Sequence, residues 1–290
     1  MSAPPADHEM TMPVKHIFGV DFSGAAKAGE NIWIAIAAPS RTRLRLTGLH
    51  RLEDLAGAAD RVTSLAHLVK LIEQSSNAVW GIDFPFGLPV ELAAMGATWR
   101  DQLTFVQTYR GDAKAFGRWC VDEAKKIGPK LHIRRCSDIE TKTPFDCYHY
   151  RIIYQTFHGM RDVLLPLAAS RNIAVLPFHY ARFRNVTTVV VEACPSSTLK
   201  RLSLPHQNYK QPAGGPLLAK RKKTRRAILA ALDRLIEVSA EHRRTIMRNP
   251  GGDALDAVIA AVGAWQAFTS ADHAAIAKHA RYRREGRVYA

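Results

Sequence analysis

Five carboxylates stand where the surrounding pattern calls for an apolar side chain or a turn: Asp21 in GVDFSG, Asp83 in GIDFPFG, Glu192 in VVVEAC, and Asp253 and Asp256 in GGDALDAV. Three of them close stretches that read as buried strands. A charge at such a place costs several kcal/mol, on the order of the penalty of a buried ion, unless it is paired or metal-bound. Asp253 and Asp256 lie three residues apart on a helical pattern and so share a face. Carboxylates meeting at one point, without histidines to match, are the donor set of a hard cation such as Mg²⁺ or Mn²⁺. Each acid also has a simpler use. Asp21 would cap a turn, Asp83 would hold the proline-containing loop, Glu192 would pair with one arginine, and Asp253 would be the N-cap that follows Gly251 and Gly252. Asp256 is harder to account for in this way, because the AVIAAV that follows it makes the helix apolar nearly all round.

The elements that must position these acids are legible from periodicity. HIFGVD from His16 and NIWIAIAAP (Asn31–Pro39) read as strands joined by a short glycine-containing turn, and Arg43–Leu49 alternates as an edge strand. Arg61–Gln74 repeats its apolar residues at helical spacing. NAVWGIDFPFGLP then reads as a strand buried on both faces, which must run parallel to the first. Residues 91–182 form a mainly helical insertion, with helical character at Leu103–Ala124 and Tyr150–Ala169 and a loop at RRCSDIETKTPFDC. Thr187–Ala193 is a β-branched strand, RAILAALDRLIEV a helix, and the NPGG turn opens the last apolar helix. The expectation is a mixed five-stranded α/β sheet, three antiparallel strands followed by parallel ones, flanked by helices.

Hydrophobic residues make up 47% and charged residues 23% of the 290, which excludes a disordered or fibrous chain. No apolar run is long enough to cross a bilayer, and residues 1–15 read as a loose leader rather than a secretory signal, so the expected location is cytoplasmic, with residues 16–290 as one domain. Cys120, Cys136, Cys147 and Cys194 form no zinc-like spacing and read as reduced and structural. The net charge of +15 points to a polyanionic partner, and its distribution supports this. Ala193–Leu232 contains no acid but nine Lys and Arg: Lys200, Arg201, Lys210 and the cations of the run Lys220, Arg221, Lys222, Lys223, Arg225 and Arg226. Six cations at the beginning of a helix oppose its macrodipole, so stability is not their reason. Tyr148, Tyr150, Arg151 and Tyr154 are candidates for stacking on bases, with core packing as the competing use.

Several blocks resemble the DUF429 family of predicted nucleases with a ribonuclease H-like fold: GVDFSGA (Gly19–Ala25) followed by IWIA, GIDFPFGLP (Gly81–Pro89), VVEACPSSTLK (Val190–Lys200), GGDALDAVIAA (Gly251–Ala261) and EGRVYA (Glu285–Ala290). The resemblance implies a metal-dependent nuclease whose acids lie on the first strand, the fourth strand and the last helix. Mapped here these are Asp21, Asp83 and Asp253 or Asp256, with Glu192 as a further ligand of a two-ion Mg²⁺ or Mn²⁺ centre. Asp21, at the end of the central strand, would bridge the two ions. Phosphodiester hydrolysis by a two-metal mechanism is the expected chemistry, with nucleic acid held by Lys200, Arg201, Lys220, Arg221, Lys222, Lys223, Arg225 and Arg226. Two rivals share the strand order: an actin-like phosphotransferase, against which Phe84, Pro85 and Phe86 stand where a phosphate loop needs small residues, and a non-catalytic nucleic-acid-binding protein. No GxSxG elbow is present for a serine hydrolase, and Cys194 has no positioned histidine.

Overall fold

Alternation along the first apolar run decides much of the architecture. In β1 (His16–Asp21), Ile17, Gly19 and Asp21 face one side of the sheet while Phe18 and Val20 face the other. The computed structural model describes residues 13–211 and 215–290. Within them β1 pairs antiparallel with β2 (Trp33–Pro39), which pairs antiparallel with β3 (Leu44–Arg51). On its other side β1 pairs in parallel with β4 (Ala78–Asp83), and β4 pairs with β6 (Thr188–Glu192).

The sheet has seven strands rather than the five expected, in the order β5-β6-β4-β1-β2-β3-β7. The two additions are edge strands too short to show a period: β5 (Ile173–Val175), inside the stretch read as a helical insertion, and β7 (Ile236–Glu237), inside the stretch read as the helix RAILAALDRLIEV. That helix spans Ala219–Leu232, so the basic run forms its first two turns rather than its approach. Within the insertion, helices Trp99–Thr108 and Ala113–Ile127 replace one expected helix, because Asp112 caps the second through the Ala115 amide. The stretch read as a loop holds a short helix, Cys136–Glu140. Of the expected leader, residues 1–12 lie outside the described residues, whereas Lys15 is already tied to the fold by its amide donating to the Asn77 carbonyl at 2.8 Å.

Helices cover both faces. The Arg61–Gln74 helix forms over the expected residues and, with the insertion, buries Val20, Ile34, Trp80 and Ile82. The closing helix Asp253–Ser270 and the basic helix bury Ile17, Ala35 and Leu46 on the opposite side. Among the described residues no helix is long and apolar enough to cross a membrane.

The closing helix lies unusually near the sheet. A Cβ at Gly19 would overlap the Ala257 carbonyl and the Ala261 amide, and one at Gly81 would overlap the Ala264 side chain. The run of alanines after Asp256 is what a helix needs to press its backbone onto two strands. Gly19→Ala is therefore expected to cost at least about 3 kcal/mol, the upper part of the range for overpacked cores, because backbone rather than a flexible side chain must yield. A urea midpoint equal to that of the wild type would show that the helix is not seated there.

Candidate functional site

Parallel register places Asp21 and Asp83 side by side. They are direct partners at the ends of β1 and β4, on the face that carries Gly19 and Gly81 and therefore beneath the closing helix. Asp256, in the first turn of that helix, joins them in a cleft of about 660 Å³. Gly252, with φ of 93°, makes the turn into the helix, and the Asn249 side-chain oxygen accepts from the amides of Gly252 and Ala254 at 2.9 and 3.2 Å. The cap is thus Asn249 and not Asp253. Asp253 is the first helical residue, accepts a 3.4 Å contact from the Asn249 amide group, and lies outside the cleft lining, although its charge reaches Asp21.

The three aspartates beneath the closing helix have unequal company. Asp256, 2% exposed, accepts the Tyr209 hydroxyl on Oδ1 at 2.8 Å and pairs through Oδ2 with the Lys210 ammonium. Asp21 is 8% exposed, and no described residue donates a hydrogen bond or an ion pair to its carboxylate or to that of Asp83. Burial raises the Asp21 carboxyl well above the usual range, with the charges of Asp256, Asp253 and Asp83 adding to the rise and Lys210 opposing it. Burial and the charge of Asp256 push Asp83 up to about 8. For Lys210, burial works against the charged form, but Asp256 and Asp21 more than offset it and the ammonium is held charged.

Glu192 lines the same cleft as Asp21, Asp83 and Asp256, and its charge adds to the rise at Asp83, but it enters from another side for a reason of parity. The register pairs it with Ile82, one residue short of Asp83, so its side chain leaves the sheet on the insertion face. There it meets Arg135, whose Nη1 and Nη2 donate to its two oxygens at 2.8 and 2.5 Å, while the Phe86 amide donates at 2.9 Å. Arg135 is 1% exposed and also grips Asp138 through Nε and Nη2 at 3.0 and 2.8 Å. Burial disfavours that guanidinium charge, and Asp138 with Glu192 outweighs it. The arginine partner weighed for Glu192 is therefore the observed one.

The cations expected to bind substrate divide by helical position. Arg225 is fully buried and donates to the carbonyls of Tyr209, Ile246, Asn249 and Pro250, so it is a clamp and has no free face for a substrate. Arg221 lines the cleft and donates to the Lys210 carbonyl. Lys220, Lys222, Lys223 and Arg226 are exposed on the outer face of the helix. Lys200 donates to the Lys142 carbonyl and Arg201 to the Gln266 side chain, and neither lines the cleft. At the rim, Tyr148 is buried, but Tyr150 is 72% exposed and Tyr154 41%, with Arg151 over the rings of Phe145 and Tyr150. The four cysteines are free, and burial pushes the Cys194 thiol up to about 12, which removes it as a nucleophile at neutral pH.

Lys210 and Tyr209 escaped the sequence reading as site residues. The available signal was Lys210 itself, the single Lys, Arg, Asp or Glu in the eighteen residues from Leu202 to Ala219. As for metal, the donors are hard oxygens and two of the carboxylates lack a protein partner, which fits a divalent cation. Among the described residues no group of three or more His, Cys, Asp or Glu forms a ready-made cage, so the fit is to an ion that completes its shell with water and substrate oxygens.

The model of a family described as a protein of unknown function, DUF429, matches residues 167–281. The match takes in Glu192, Lys210, Asp253 and Asp256, stops short of Asp21 and Asp83, and supports the family resemblance read from the sequence blocks. No curated protein and no solved structure matches the chain.

The raised carboxyl of Asp83 predicts a pH signature in chelator-treated protein. Its folded value of about 8 lies above the ordinary 3.8, so the folded chain holds the extra proton over that interval and loses stability as pH rises through it. The stability of the wild type relative to Asp83→Asn should fall between those values and level off above about 8, as read by urea denaturation at a series of pH values. A difference independent of pH would mean that Asp83 titrates normally.

Proposed function

We propose that this chain is a divalent-metal-dependent nuclease of ribonuclease H-like fold. One observation carries the reading: Asp21 and Asp83 stand unpartnered on adjacent parallel strand ends, facing Asp256 at the start of the closing helix. The strand order around β1 and β4 agrees with the fold that the family resemblance implies, and acids on the first strand, the fourth strand and the last long helix, which only the short helices His273–Lys278 and Tyr282–Glu285 follow, agree with its site. Asp21 and Asp83 would hold Mg²⁺ or Mn²⁺, which supplies Lewis-acid activation at a phosphodiester. A two-ion centre would require Asp256 to release Lys210 or Glu192 to release Arg135.

The remaining residues serve a polyanionic substrate. Arg221 and Lys210 bring positive charge into the cleft, and the outer cations Lys220, Lys222, Lys223 and Arg226 extend it along the helix surface. Tyr150 and Tyr154 offer exposed rings beside the cleft residues Arg151 and Gln155, a suitable arrangement for unpaired bases. Arg135 keeps its grip on Glu192 and Asp138 and so fixes the wall on which the insertion meets the sheet. The phosphotransferase rival finds little support. The GIDFPFGLP turn spends two of its amides internally, Phe86 on Glu192 and Leu88 on Gln102, which withdraws them from a nucleotide phosphate.

Labelled single-stranded, duplex and hybrid nucleic acids incubated with Mg²⁺ or Mn²⁺ test the reading. Cleavage is expected with wild type, and Asp21→Asn and Asp83→Asn should each lower it by at least about 100-fold, above the loss typical for residues that only support a metal ligand. Absence of cutting on every substrate, with either metal, would leave a binding protein of the same fold. In chelator, Tyr150→Ala should weaken single-strand binding by about 1–3 kcal/mol and leave duplex binding nearly unchanged. Equal weakening on both would assign the ring to general packing.

A further inference from the structure

We infer that Lys210 occupies the place of a second metal ion: the centre takes one divalent cation on Asp21 and Asp83, and the Lys210 ammonium supplies the other positive charge beside Asp256. The inference rests on the metal-site reading above and fixes its stoichiometry.

The carboxylate oxygens leave room for little else. Both oxygens of Asp256 are engaged, one by the Tyr209 hydroxyl and one by Lys210. Glu192 lines the same cleft, but both of its oxygens are engaged by Arg135. That leaves Asp21 and Asp83, and Asp21 is a nine-tenths buried carboxylate that lines the cleft without a donor. One or two carboxylates, with water and phosphate oxygens, are the usual protein contribution to a single Mg²⁺. Charge gives the same answer. The five carboxylates that line the cleft (Asp21, Asp83, Asp138, Glu192 and Asp256) exceed its four cations (Arg135, Arg151, Lys210 and Arg221) by one charge, so one divalent ion leaves an excess of +1 whereas a second would leave +3.

Lys210 is also held in place rather than left to wander. Its side chain is 46% exposed and reaches in from a loop, yet three consecutive residues of that loop are pinned. The Tyr209 carbonyl accepts from Arg225 Nε at 2.6 Å, the Lys210 carbonyl from Arg221, and the Gln211 amide donates to the Pro250 carbonyl at 2.9 Å. The stem of Lys210 runs over Gly252, where a Cβ would come to 3.0 Å from its Cγ and 3.4 Å from Arg225 Nη2. The inward cations of the basic run and the second glycine of the GGD turn thus share one task, which is to present this ammonium to the aspartates. The ion pair with Asp256 that keeps it charged suits it to neutralise phosphate charge and not to transfer a proton.

Mn²⁺ titration of the full chain, with free ion read by electron paramagnetic resonance, tests this without reference to activity. The wild type is expected to bind one ion per chain, Asp21→Asn none, Lys210→Arg one, and Lys210→Met two, because loss of the ammonium frees Asp256. The half-exposed position of Lys210 allows these variants to fold, and their circular dichroism spectra should match the wild type. Two ions on the wild type, or one on Lys210→Met, would overturn the inference while leaving the metal-dependent reading intact. No ion on the wild type would overturn both.

Discussion

The constraint on which this structure turns is the mutual repulsion of carboxylates at the end of a sheet. Asp21, Asp83 and Asp256 share one cleft, where burial makes Asp21 and Asp83 costly to ionise and the charge of Asp256 adds to that cost. Stability alone would have removed them, since a buried charge without a partner is among the most destabilising features a core can carry. What the chain does instead is compensate unevenly. Glu192 and Asp138 share a guanidinium that is buried with them, and Asp256 has an ammonium, a phenol and the positive end of a long helix. Asp21 and Asp83 receive only the distant influence of Lys210. The deficit of positive charge is therefore localised to one pair, and it is this localisation that gives the cleft a chemical character.

Close packing makes the pair and the third acid neighbours. A strand alternates its side chains, so Gly19 and Asp21 face the same way, as do Gly81 and Asp83. The glycines let the closing helix approach at backbone distance, and the acids two residues further on then emerge beneath its first turn. The alanine-rich face of the helix and the acids of GGDALDAV are thus parts of one device. A bulkier helix would stand off from the sheet and carry Asp256 away from Asp21.

Much of this was legible in the sequence. The five main strands, the Arg61–Gln74 helix and the Asp83 and Asp256 anomalies follow from periodicity broken by charge. The failures have particular causes. β5 and β7 have three and two residues, and no period can be read from so few. Glu192 looked equivalent to Asp21 and Asp83 because all three end strands, and it lines the same cleft, but register turns its side chain to the other face, where Arg135 takes it, and register depends on pairing that only the fold supplies. Arg225 belonged by composition to a substrate-binding run and proved to be a buried clamp, because helical spacing within the run turns it inward while Lys222, Lys223 and Arg226 stay outside. Lys210 carried a faint signal, a lone charge in a neutral loop, whose meaning appears once the loop is folded over the closing helix.

The basic run resolves an apparent contradiction. Cations in the first turns of a helix work against its dipole by about 0.3–1 kcal/mol each. For Arg221 and Arg225 the opposing term is offset locally, since together they donate to five backbone carbonyls around the Lys210 loop and the turn into the closing helix. The outward cations have no such compensation, with no acid between Ala193 and Leu232 to pair with them. Their charge is long-range and unspent, which suits the proposed function of drawing a polyanion towards a cleft whose own net charge is negative. On the proposed reading, attraction at the helix surface and repulsion among the aspartates would act in sequence: the first would bring a phosphate backbone near, and the second would let it settle there only together with a cation.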